Sequence, residues 1–471
     1  MTQFTPISIS CFKAYDVRGE LGVNLDNDIA YRIGRAFAEF LGNQSTTPNP
    51  AIVVGSDIRP SSESLKQSAI DGITDAGIDV IDLGMVGTEE VYFATSHYNA
   101  IGGIEVTASH NPINYNGLKM VRENSRPISA DTGLSDIRTI AEQGNFKEAT
   151  KGKVTLNTDK SAYIDKLTSF TDPAKFTPKK IVVNSGNGSA GPVVDELEKR
   201  LGDKIQLIKV HHTPDGSFPN GIPNPMIIAN QKATSDAVIA HGADFGVAFD
   251  GDFDRCFLFD EKGQFIEGTY IVGLLAEVFL QKHKGESIVY DPRVIYNTEN
   301  VIAKNGGTPA ISKSGHSFIK AVMRECGAIY GGEMSAHHYF RDFAYCDSGM
   351  IVWLLVIELL STTGKTLSEL VGGYINDFPS SGELNFRLGQ KSAQEISELL
   401  EQKYAPLNPA KNTLDGLSLD FGDWRFNLRS SNTEPLIRLN IESKGDKALL
   451  QERVDEILGV LHECGAVSAD H

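Results

Sequence analysis

The chain has 471 residues, which is enough for three or four domains of ordinary size rather than a single core. Hydrophobic residues make up 41% and charged residues 22% of the sequence, as is typical of a globular protein. A formal net charge of −17 argues against non-specific nucleic-acid binding, because no basic surplus is available to neutralise a phosphate backbone. Positive charge for an anionic ligand must therefore be concentrated locally.

The five cysteines are scattered and form no C-x-x-C pair, which favours a reducing compartment over a disulfide framework or a zinc site. No apolar run reaches about 18 residues, the length of a membrane span. The first residues lack a basic segment followed by an apolar one, so no secretory signal is predicted. We expect a cytoplasmic protein that binds neither membranes nor nucleic acid.

One pattern recurs three times along the chain. Short β-branched runs begin at Ile52, Ile181 and Ile288, and each leads through a polar loop and an amphipathic stretch to a second apolar run. This order is that of a βαβ unit, which predicts parallel strands with covered faces. The spacing of about a hundred residues favours three related α/β domains over a solenoid, whose repeats are about 20–50 residues long.

Two further segments complete the predicted fold. A helix is expected from about Asp28 to Leu41, where apolar residues keep a spacing of three to four and Gly42 follows. After about Phe378, strand-like segments precede a final helix, which predicts an α+β domain with antiparallel pairing. We therefore expect four domains, at residues 1–155, 156–258, 259–373 and 374–471.

A first candidate site is the sequence TASHNP at residues 107–112, which follows the apolar run IGGIEV. A hydroxyl in a loop at the carboxyl end of a strand lies where open α/β sheets bind ligands. Taken alone, a Ser-His pair in a loop is more often a turn or a cap. No G-x-S-x-G elbow surrounds Ser109, so acyl transfer is disfavoured.

A second candidate site is the sequence DGDFDR at residues 250–255. The alternating Asp250, Asp252 and Asp254 can direct oxygens onto one hard cation such as Mg²⁺. Arg255 can hold a phosphoryl oxygen, but it stands where an EF-hand loop needs glycine, and the flanking segments resemble strands rather than helices. A solvated acidic turn is the remaining alternative, and the apolar flanks favour the metal.

Two more polar loops are candidate binding sites. In GGEMSAHH, Glu333 and Ser335 can bind vicinal sugar hydroxyls, although a Gly-rich turn is usually only a turn. The adjacent histidines at its end are more often surface residues. RSSNTEP at residues 429–435 can form an anion cradle, with a helix-capping loop as the alternative.

Read together and in order, FKAYDVRG, TASHNP, DGDFDR, GGEMSAHHYF and RSSNTEP closely resemble the signatures of the α-D-phosphohexomutase superfamily. The likeness covers almost the whole chain and is greatest to the bacterial phosphomannomutase branch. It implies a four-domain, heart-shaped α/β architecture, with three similar α/β domains that contain mixed sheets and a distinct α+β C-terminal domain. It also implies an isomerase that interconverts mannose 6-phosphate and mannose 1-phosphate in the cytoplasm and serves GDP-mannose biosynthesis.

The resemblance implies a role for each matching residue. Ser109 would carry the transferred phosphoryl group, and Mg²⁺ would be held by Asp250, Asp252, Asp254 and the phosphorylated Ser109. The residues expected around the reacting group are Arg18, His110, Lys119 and His316. The residues expected to bind substrate are Tyr15, Arg255, Arg293, Glu333, Ser335, His337, Arg429, Ser431, Asn432 and Thr433. Arg293 departs from the pattern, because some relatives have lysine there.

The same resemblance implies a hexose 1,6-bisphosphate as activator, a hexose phosphate as substrate, and a monomer or dimer. The group that accepts the proton of the attacking hydroxyl stays open among Lys119, Arg18 and His316. Alternative functions also stay open. They are a phosphoglucomutase or dual-specificity hexose mutase, a metal-dependent sugar phosphatase, and a sugar-phosphate-binding protein without catalysis.

Overall fold

The computed structural model of the protein describes residues 4–430 and 436–469. Its internal contacts divide the chain into two compact units. The first unit comprises Met1–Gln264 with Tyr339–Gly364, and the second comprises Phe265–His338 with Lys365–His471.

The first unit begins with a mixed sheet. Its strands are β1 (Val17–Glu20), β2 (Ala51–Ser56), β3 (Asp79–Met85), β4 (Gly102–Val106), β5 (Tyr115–Arg122), β6 (Arg126–Pro127) and β7 (Val154–Leu156). They lie in the order β1-β5-β4-β2-β3-β7, with β6 beside β5. β2 is parallel to β3 and β4, whereas β5 is antiparallel to β4. The loops that follow β2 and β4 therefore lie at the same edge of this sheet.

Four helices accompany this sheet: α1 (Asn27–Gly42), α2 (Ser62–Asp75), α3 (Thr88–His97) and α4 (Leu134–Gln143). The predicted helix over residues 28–41 is confirmed as α1. The helix starts there because the Asp26 side chain accepts the Ile29 N–H and caps the first turn. Phe37 of α1 lies in one buried core with the sheet residues Ile52 and Ile104. That core fixes the strand ends from which the site loops emerge.

A second mixed sheet completes the main part of the first unit. Its elements are α5 (Ser161–Thr168), β8 (Lys179–Asn184), α6 (Gly191–Leu201), β9 (Ile205–Val210), α7 (Ile228–His241), β10 (Phe245–Phe249) and β11 (Cys256–Phe259). The strand order is β11-β10-β8-β9, with β11 antiparallel to β10 and the other pairs parallel. The flanks of DGDFDR are thus strands, as predicted, and the acidic sequence is the turn between them.

The second unit starts with another parallel arrangement. Its elements are α8 (Gly268–Lys282), β12 (Ser287–Tyr290), α9 (Tyr296–Lys304), β13 (Thr308–Ile311), α10 (His316–Cys326) and β14 (Tyr330–Gly332). β12 lies between β13 and β14 and is parallel to both. The three predicted βαβ units are therefore confirmed, because β2 pairs with β3, β8 with β9 and β12 with β13, all in parallel.

The next segment contains β15 (His338–Phe340), β16 (Cys346–Asp347) and α11 (Gly349–Thr363). α11 belongs to the first unit and is buried along most of its length, including Trp353 and Leu354. It precedes α12 (Leu367–Asp377) of the second unit. Within the described ranges, no single helix is both long and apolar enough to cross a membrane, and only α11 and α12 taken together pass that test by length and composition.

The C-terminal part of the second unit is α+β. Its elements are β17 (Leu384–Arg387), α13 (Ala393–Tyr404), β18 (Ala410–Asn412), β19 (Leu417–Asp420), β20 (Trp424–Ser430), β21 (Leu436–Ser443), α14 (Lys447–Glu463) and β22 (Val467–Ser468). The strands lie in the order β18-β19-β20-β21-β17-β22, and the neighbouring pairs are antiparallel. Ile457 and Leu461 of α14 are fully buried against the sheet core. The predicted antiparallel tail domain with a final helix is confirmed.

Candidate functional site

Ser109 faces the acidic turn of the second sheet. Its Oγ donates to Asp250 Oδ2 over 2.7 Å, although the two residues are 141 positions apart. Asp250, Asp252 and Asp254 are all buried, and one oxygen of each lies within 4.8 Å of the others. The structure therefore brings the predicted serine and the three predicted metal ligands into one cluster.

The backbone of the acidic turn explains its glycine. A Cβ atom built on Gly251 would lie 2.4 Å from the Ser109 carbonyl oxygen, closer than non-bonded atoms approach. The glycine therefore permits the close approach of the serine loop. Phe253, in the same turn, has a φ of +46°, which is uncommon outside glycine, and its side chain is buried.

A lysine bridges two of the carboxylates. Lys119 Nζ donates to Asp252 Oδ2 and to Asp254 Oδ2, both over 2.6 Å. Burial alone would lower the pKa of Lys119, but the charges of Asp252 and Asp254 outweigh it and raise that pKa above its ordinary value. Lys119 is thus a cation in this arrangement and offsets the charge of Asp252 and Asp254.

Two predicted arginines add positive charge to this cluster. Arg255 Nε donates to Asp250 Oδ2 over 2.9 Å, and Arg18 donates to Asp16 and to Asn111 Oδ1. Burial would lower the pKa of Arg18, but the neighbouring Asp16 raises it above its ordinary value. The cluster therefore concentrates cations in an acidic protein, as the composition required.

His110 has a neutral ring in this arrangement. Its Nδ1 accepts from Arg255 Nη2 over 2.6 Å and lies 3.0 Å from Ser109 Oγ. A nitrogen that accepts from a guanidinium carries no proton itself, so the ring is not an imidazolium. His110 was expected among the basic residues around the reacting group, and it lies there without contributing charge.

The carboxylates fit a hard divalent cation. Asp252 Oδ1 is buried and has no hydrogen-bond partner among residues 4–430 and 436–469. An ionised oxygen buried without a donor is costly, whereas Mg²⁺ prefers carboxylate oxygens as ligands. The donor set is made of oxygens alone, which suits Mg²⁺ better than zinc.

Sequence reasoning missed several residues of this cluster. Thr88, at the start of α3, donates its hydroxyl to Asp252 Oδ2 over 2.6 Å and its N–H to the Asp252 carbonyl. Asp57 and Arg59, in the loop after β2, hold the backbone of residues 107–115. The loop GSDIRPSS did follow a predicted strand, so its position at the same sheet edge was the available signal.

A second group of predicted residues lies in the second unit. Arg293 is bound by Asp291 through two hydrogen bonds and lies 3.5 Å from Glu333 Oε1. Glu333 Oε1 also accepts the N–H of Gly315 over 2.6 Å, next to His316 at the start of α10. Glu333, Arg293 and His316 are thus brought together by the loops after β14, β12 and β13.

Three guanidinium groups of this unit surround one buried carboxylate. Glu383 Oε2 accepts from Arg293 over 3.0 Å and from Arg429 over 3.4 Å, while Oε1 accepts from Arg438 over 3.1 Å. Burial raises the pKa of Glu383, but the three arginines outweigh it and lower that pKa to about 2. Glu383 and Arg438 were not predicted from the sequence.

The remaining predicted residues have varied positions. Ser335 and His337 are half-buried in the turn between β14 and β15, and Tyr15 is half-buried in the turn before β1. His338 is completely buried and its Nδ1 lies 2.7 Å from the Tyr330 hydroxyl, so the expectation of surface histidines is wrong for His338. Ser431, Asn432 and Thr433 lie outside the described residues.

The chain matches four sequence families of phosphoglucomutase/phosphomannomutase. These are alpha/beta/alpha domain I over residues 10–148, alpha/beta/alpha domain II over 161–263, alpha/beta/alpha domain III over 267–378, and the C-terminal domain over 383–460. A phosphomannomutase of Salmonella montevideo is 57% identical over 97% of this chain and 99% of the relative. That of Vibrio cholerae serotype O1 is 56% identical over 95% of this chain and 97% of the relative.

Solved structures agree with this fold. A phosphoglucomutase/phosphomannomutase family protein of Burkholderia thailandensis is 33% identical, with a TM-score of 0.86 over 98% of this chain and 99% of that chain. The N-acetylphosphoglucosamine mutase of Aspergillus fumigatus, solved with GlcNAc-6P and magnesium, shares the fold at 13% identity and a TM-score of 0.60, over 97% of this chain and 96% of that chain.

The fold and the matches define the class of this protein: it is a phosphohexomutase, an isomerase of sugar phosphates. The chain belongs to the phosphoglucomutase/phosphomannomutase family, over nearly its whole length.

Proposed function

We propose that this chain interconverts mannose 6-phosphate and mannose 1-phosphate through a phosphorylated Ser109 and a 1,6-bisphosphate intermediate. The observation that carries the proposal is the 2.7 Å contact of Ser109 Oγ with Asp250 inside the buried three-aspartate cluster. A hydroxyl beside a metal-binding carboxylate set and three cations suits a phosphoryl group better than an acyl group.

The reaction consists of two transfers of the same kind. In the first, the bond between the Ser109 oxygen and phosphorus breaks while a free sugar hydroxyl forms a new bond to phosphorus and loses its proton. In the second, after the sugar has turned around, the bond between the sugar oxygen and the phosphorus of the other phosphate breaks while the Ser109 oxygen forms a new bond to that phosphorus. The sugar oxygen takes up a proton, and the product is a hexose monophosphate. Arg18, Lys119 and Arg255 neutralise charge on the transferred group, which such transfers need more than covalent chemistry.

Two of the three candidates for the proton acceptor are already protonated. Lys119 and Arg18 both have pKa values raised by neighbouring aspartates, so each holds its proton. A group that is already protonated cannot act as the base. His316 is the remaining candidate for removing the proton of the attacking hydroxyl.

Mg²⁺ is the proposed metal, and Asp250, Asp252 and Asp254 are its proposed protein ligands together with an oxygen of the phosphorylated Ser109. When bound, the ion would withdraw charge from the phosphoryl oxygens and from the serine oxygen that leaves. A hexose 1,6-bisphosphate would act as activator, because it can phosphorylate a Ser109 that has lost its phosphoryl group.

The remaining predicted residues would recognise the non-reacting parts of the substrate. We assign the sugar hydroxyls to Glu333, Ser335 and His337, and the non-reacting phosphate to Arg429 with Arg293 nearby. Ser431, Asn432 and Thr433 complete this assignment on the strength of the motif alone. The hydroxyls on C3 and C4 exchange places when the sugar turns. Glu333 as acceptor and Ser335 as donor would therefore serve both orientations.

The choice of mannose is supported by relatives at 56–57% identity that carry the name phosphomannomutase. Glucose is the second candidate, because the family description covers phosphoglucomutases as well.

The test compares turnover of mannose 1-phosphate and glucose 1-phosphate, each with its own 1,6-bisphosphate, in wild type and Ser109→Ala. We expect a higher kcat/KM for mannose and no turnover in the variant. Equal or higher kcat/KM for glucose would overturn the substrate assignment. Turnover that survives in Ser109→Ala would overturn the mechanism.

A further inference from the structure

A buried arginine outside the predicted site holds the loop that carries Ser109. Arg59 follows β2 and is 2% exposed. Its guanidinium donates to the backbone carbonyls of Ser109 over 3.0 Å, Asn111 over 2.6 Å, Pro112 over 2.9 Å and Tyr115 over 3.2 Å. One side chain therefore satisfies four carbonyls of a single loop, which a lysine with one nitrogen cannot do.

Asp57 extends this arrangement to the other side of the loop. Its Oδ1 accepts from the Arg59 N–H over 2.9 Å and from Ser62 Oγ, and its Oδ2 accepts from Thr107 Oγ1 over 2.7 Å. Thr107 Oγ1 in turn accepts the N–H of Ser109 over 2.8 Å. Asp57 and Arg59 thus reach both the amide and the carbonyl of Ser109.

Ser109 needs such support because its backbone is in a sparsely populated conformation. Its φ is +48°, a left-handed value that non-glycine residues adopt only when their surroundings impose it. The orientation of Oγ toward Asp250 depends on this backbone, since Cβ projects from it. Release of either the N–H or the carbonyl group of Ser109 would let the serine backbone relax and turn its hydroxyl away from Asp250.

We propose that Arg59, together with Asp57, is a positioning residue for phosphoryl transfer, which keeps Ser109 in its left-handed conformation and its Oγ directed at Asp250. Neither residue is assigned a contact with substrate. The inference rests on the proposed role of Ser109 as phosphoryl carrier and adds residues that no sequence motif indicated.

The test uses Arg59→Lys, which keeps the charge and removes the fork of donors. Arg35→Lys is the matched control, because Arg35 is also a buried arginine of the first unit that binds a carboxylate, Glu39, and a backbone carbonyl, that of Lys147. We expect kcat to fall about a hundredfold in Arg59→Lys with KM nearly unchanged, and no loss in the control.

A second readout separates positioning from folding. The enzyme is first phosphorylated with mannose 1,6-bisphosphate, and the lifetime of the phosphoryl group on Ser109 is then followed by intact mass in substrate-free buffer. We expect a changed lifetime in Arg59→Lys at temperatures where its thermal unfolding has not begun. A kcat and a lifetime equal to those of Arg35→Lys would overturn the proposal.

Thr107→Val keeps the proposal testable if Arg59→Lys fails to fold, because it removes only the hydroxyl that links Asp57 to the Ser109 amide. We expect kcat to fall about tenfold with KM retained. An unchanged kcat in that variant would also overturn the proposal. Ser109→Ala tests the phosphoryl carrier separately. If Ser109→Ala is inactive while Thr107→Val and Arg59→Lys keep the wild-type kcat, the positioning role alone is rejected.

Discussion

Around Ser109, backbone packing matters as much as side-chain chemistry. The serine loop and the acidic turn approach so closely that Gly251 faces the Ser109 carbonyl. On its other side the same carbonyl accepts from Arg59. The Ser109 backbone is therefore held from two sides, and if Ser109 is the phosphoryl carrier that we propose, small steric changes there should affect catalysis strongly.

Gly251→Ala tests this close approach. The added methyl would lie 2.4 Å from the Ser109 oxygen, so the two loops must separate. We expect kcat to fall by about a hundredfold or more. Gly459→Ala is the control, because a methyl at that α14 position meets nothing within 4 Å. Steady-state kinetics of both variants makes the comparison, and equal activity of the two would contradict the steric account.

A residue-scale pH effect belongs to the second unit. Burial, with a smaller contribution from the charge of Glu383, raises the pKa of Glu267 to about 7. The folded protein therefore keeps a proton on Glu267 that the unfolded chain has already lost, so this contribution to stability is present at low pH and is lost as pH rises through about 7. The midpoint temperature of thermal unfolding should fall less steeply between about pH 5 and pH 8 in Glu267→Gln than in wild type.

The exposed Glu325→Gln is the control for that measurement and should leave the pH dependence unchanged. Parallel pH profiles for wild type and Glu267→Gln would show that Glu267 does not titrate in this range.

At this scale the sequence predicted the residues that lie within motifs and missed their distant partners. The three aspartates could be named from their alternating spacing, and Ser109 could be named because the motifs resemble those of one superfamily in their order. Thr88 contacts Asp252 from 164 positions away, and Glu383 contacts Arg293 from 90 positions away. Threonine and glutamate are common residues, and only the fold shows which of them reach a site.

Among the elements, α11 depends on a side chain from another helix. Glu89 of α3 is fully buried, and its Oε2 accepts the N–H groups of Gly349 over 2.6 Å and Met350 over 3.3 Å. Its Oε1 accepts from the hydroxyls of Ser348 and Tyr163. The Glu89 carboxyl group thus satisfies unpaired amides at the N-terminus of α11. Burial raises the pKa of Glu89 to about 8, although these four donors lower it. Glu89 therefore joins α3, α5 and α11 within the first unit.

Glu89→Gln should weaken this junction. The amide nitrogen of glutamine is a donor and would face other donors, which costs about 1–3 kcal/mol for each group left unsatisfied. We expect the thermal unfolding midpoint to fall clearly by differential scanning calorimetry. Glu325→Gln, at an exposed position of α10, should have no such effect. A midpoint for Glu89→Gln equal to that of Glu325→Gln would contradict the role of the Glu89 carboxyl group.

The elements themselves were largely predictable where the pattern was local. Runs of β-branched residues predicted β2, β8 and β12, and the second apolar runs predicted β3, β9 and β13. The placement of α11 in the first unit was not predictable, because it depends on long-range contacts such as that of Glu89 with Gly349, 260 positions apart. An apolar helix indicates burial without indicating the partner.

The whole molecule carries a formal charge of −17, yet the proposed substrate is an anion. Positively charged side chains lie at the proposed site. Lys119 and Arg255 bind carboxylates of the acidic turn, and Arg18 binds Asn111 in the serine loop. The acidic turn keeps a carboxylate oxygen of Asp252 available for a cation. Metal binding should therefore stabilise the folded protein, since the unfolded chain has no assembled ligand set.

Mg²⁺ should raise the thermal unfolding midpoint of the wild type, by the equivalent of about 2.7 kcal/mol at a hundred times its dissociation constant. Asp252→Asn should lose most of this shift, because one ligand charge is removed. Asp236→Asn, at an exposed position of α7, is the control and should retain it. Equal shifts in wild type and Asp252→Asn would place the metal elsewhere.

The central claim is that Ser109 gives its phosphoryl group to the substrate and takes one back. Its most direct test is a single turnover with enzyme phosphorylated by mannose 1,6-bisphosphate, mixed with mannose 6-phosphate and quenched at short times. Peptide mass spectrometry should show the phosphoryl group leaving the peptide that contains Ser109 as an equal amount of mannose 1,6-bisphosphate forms. Formation of mannose 1-phosphate while that peptide never carries phosphate would contradict the account.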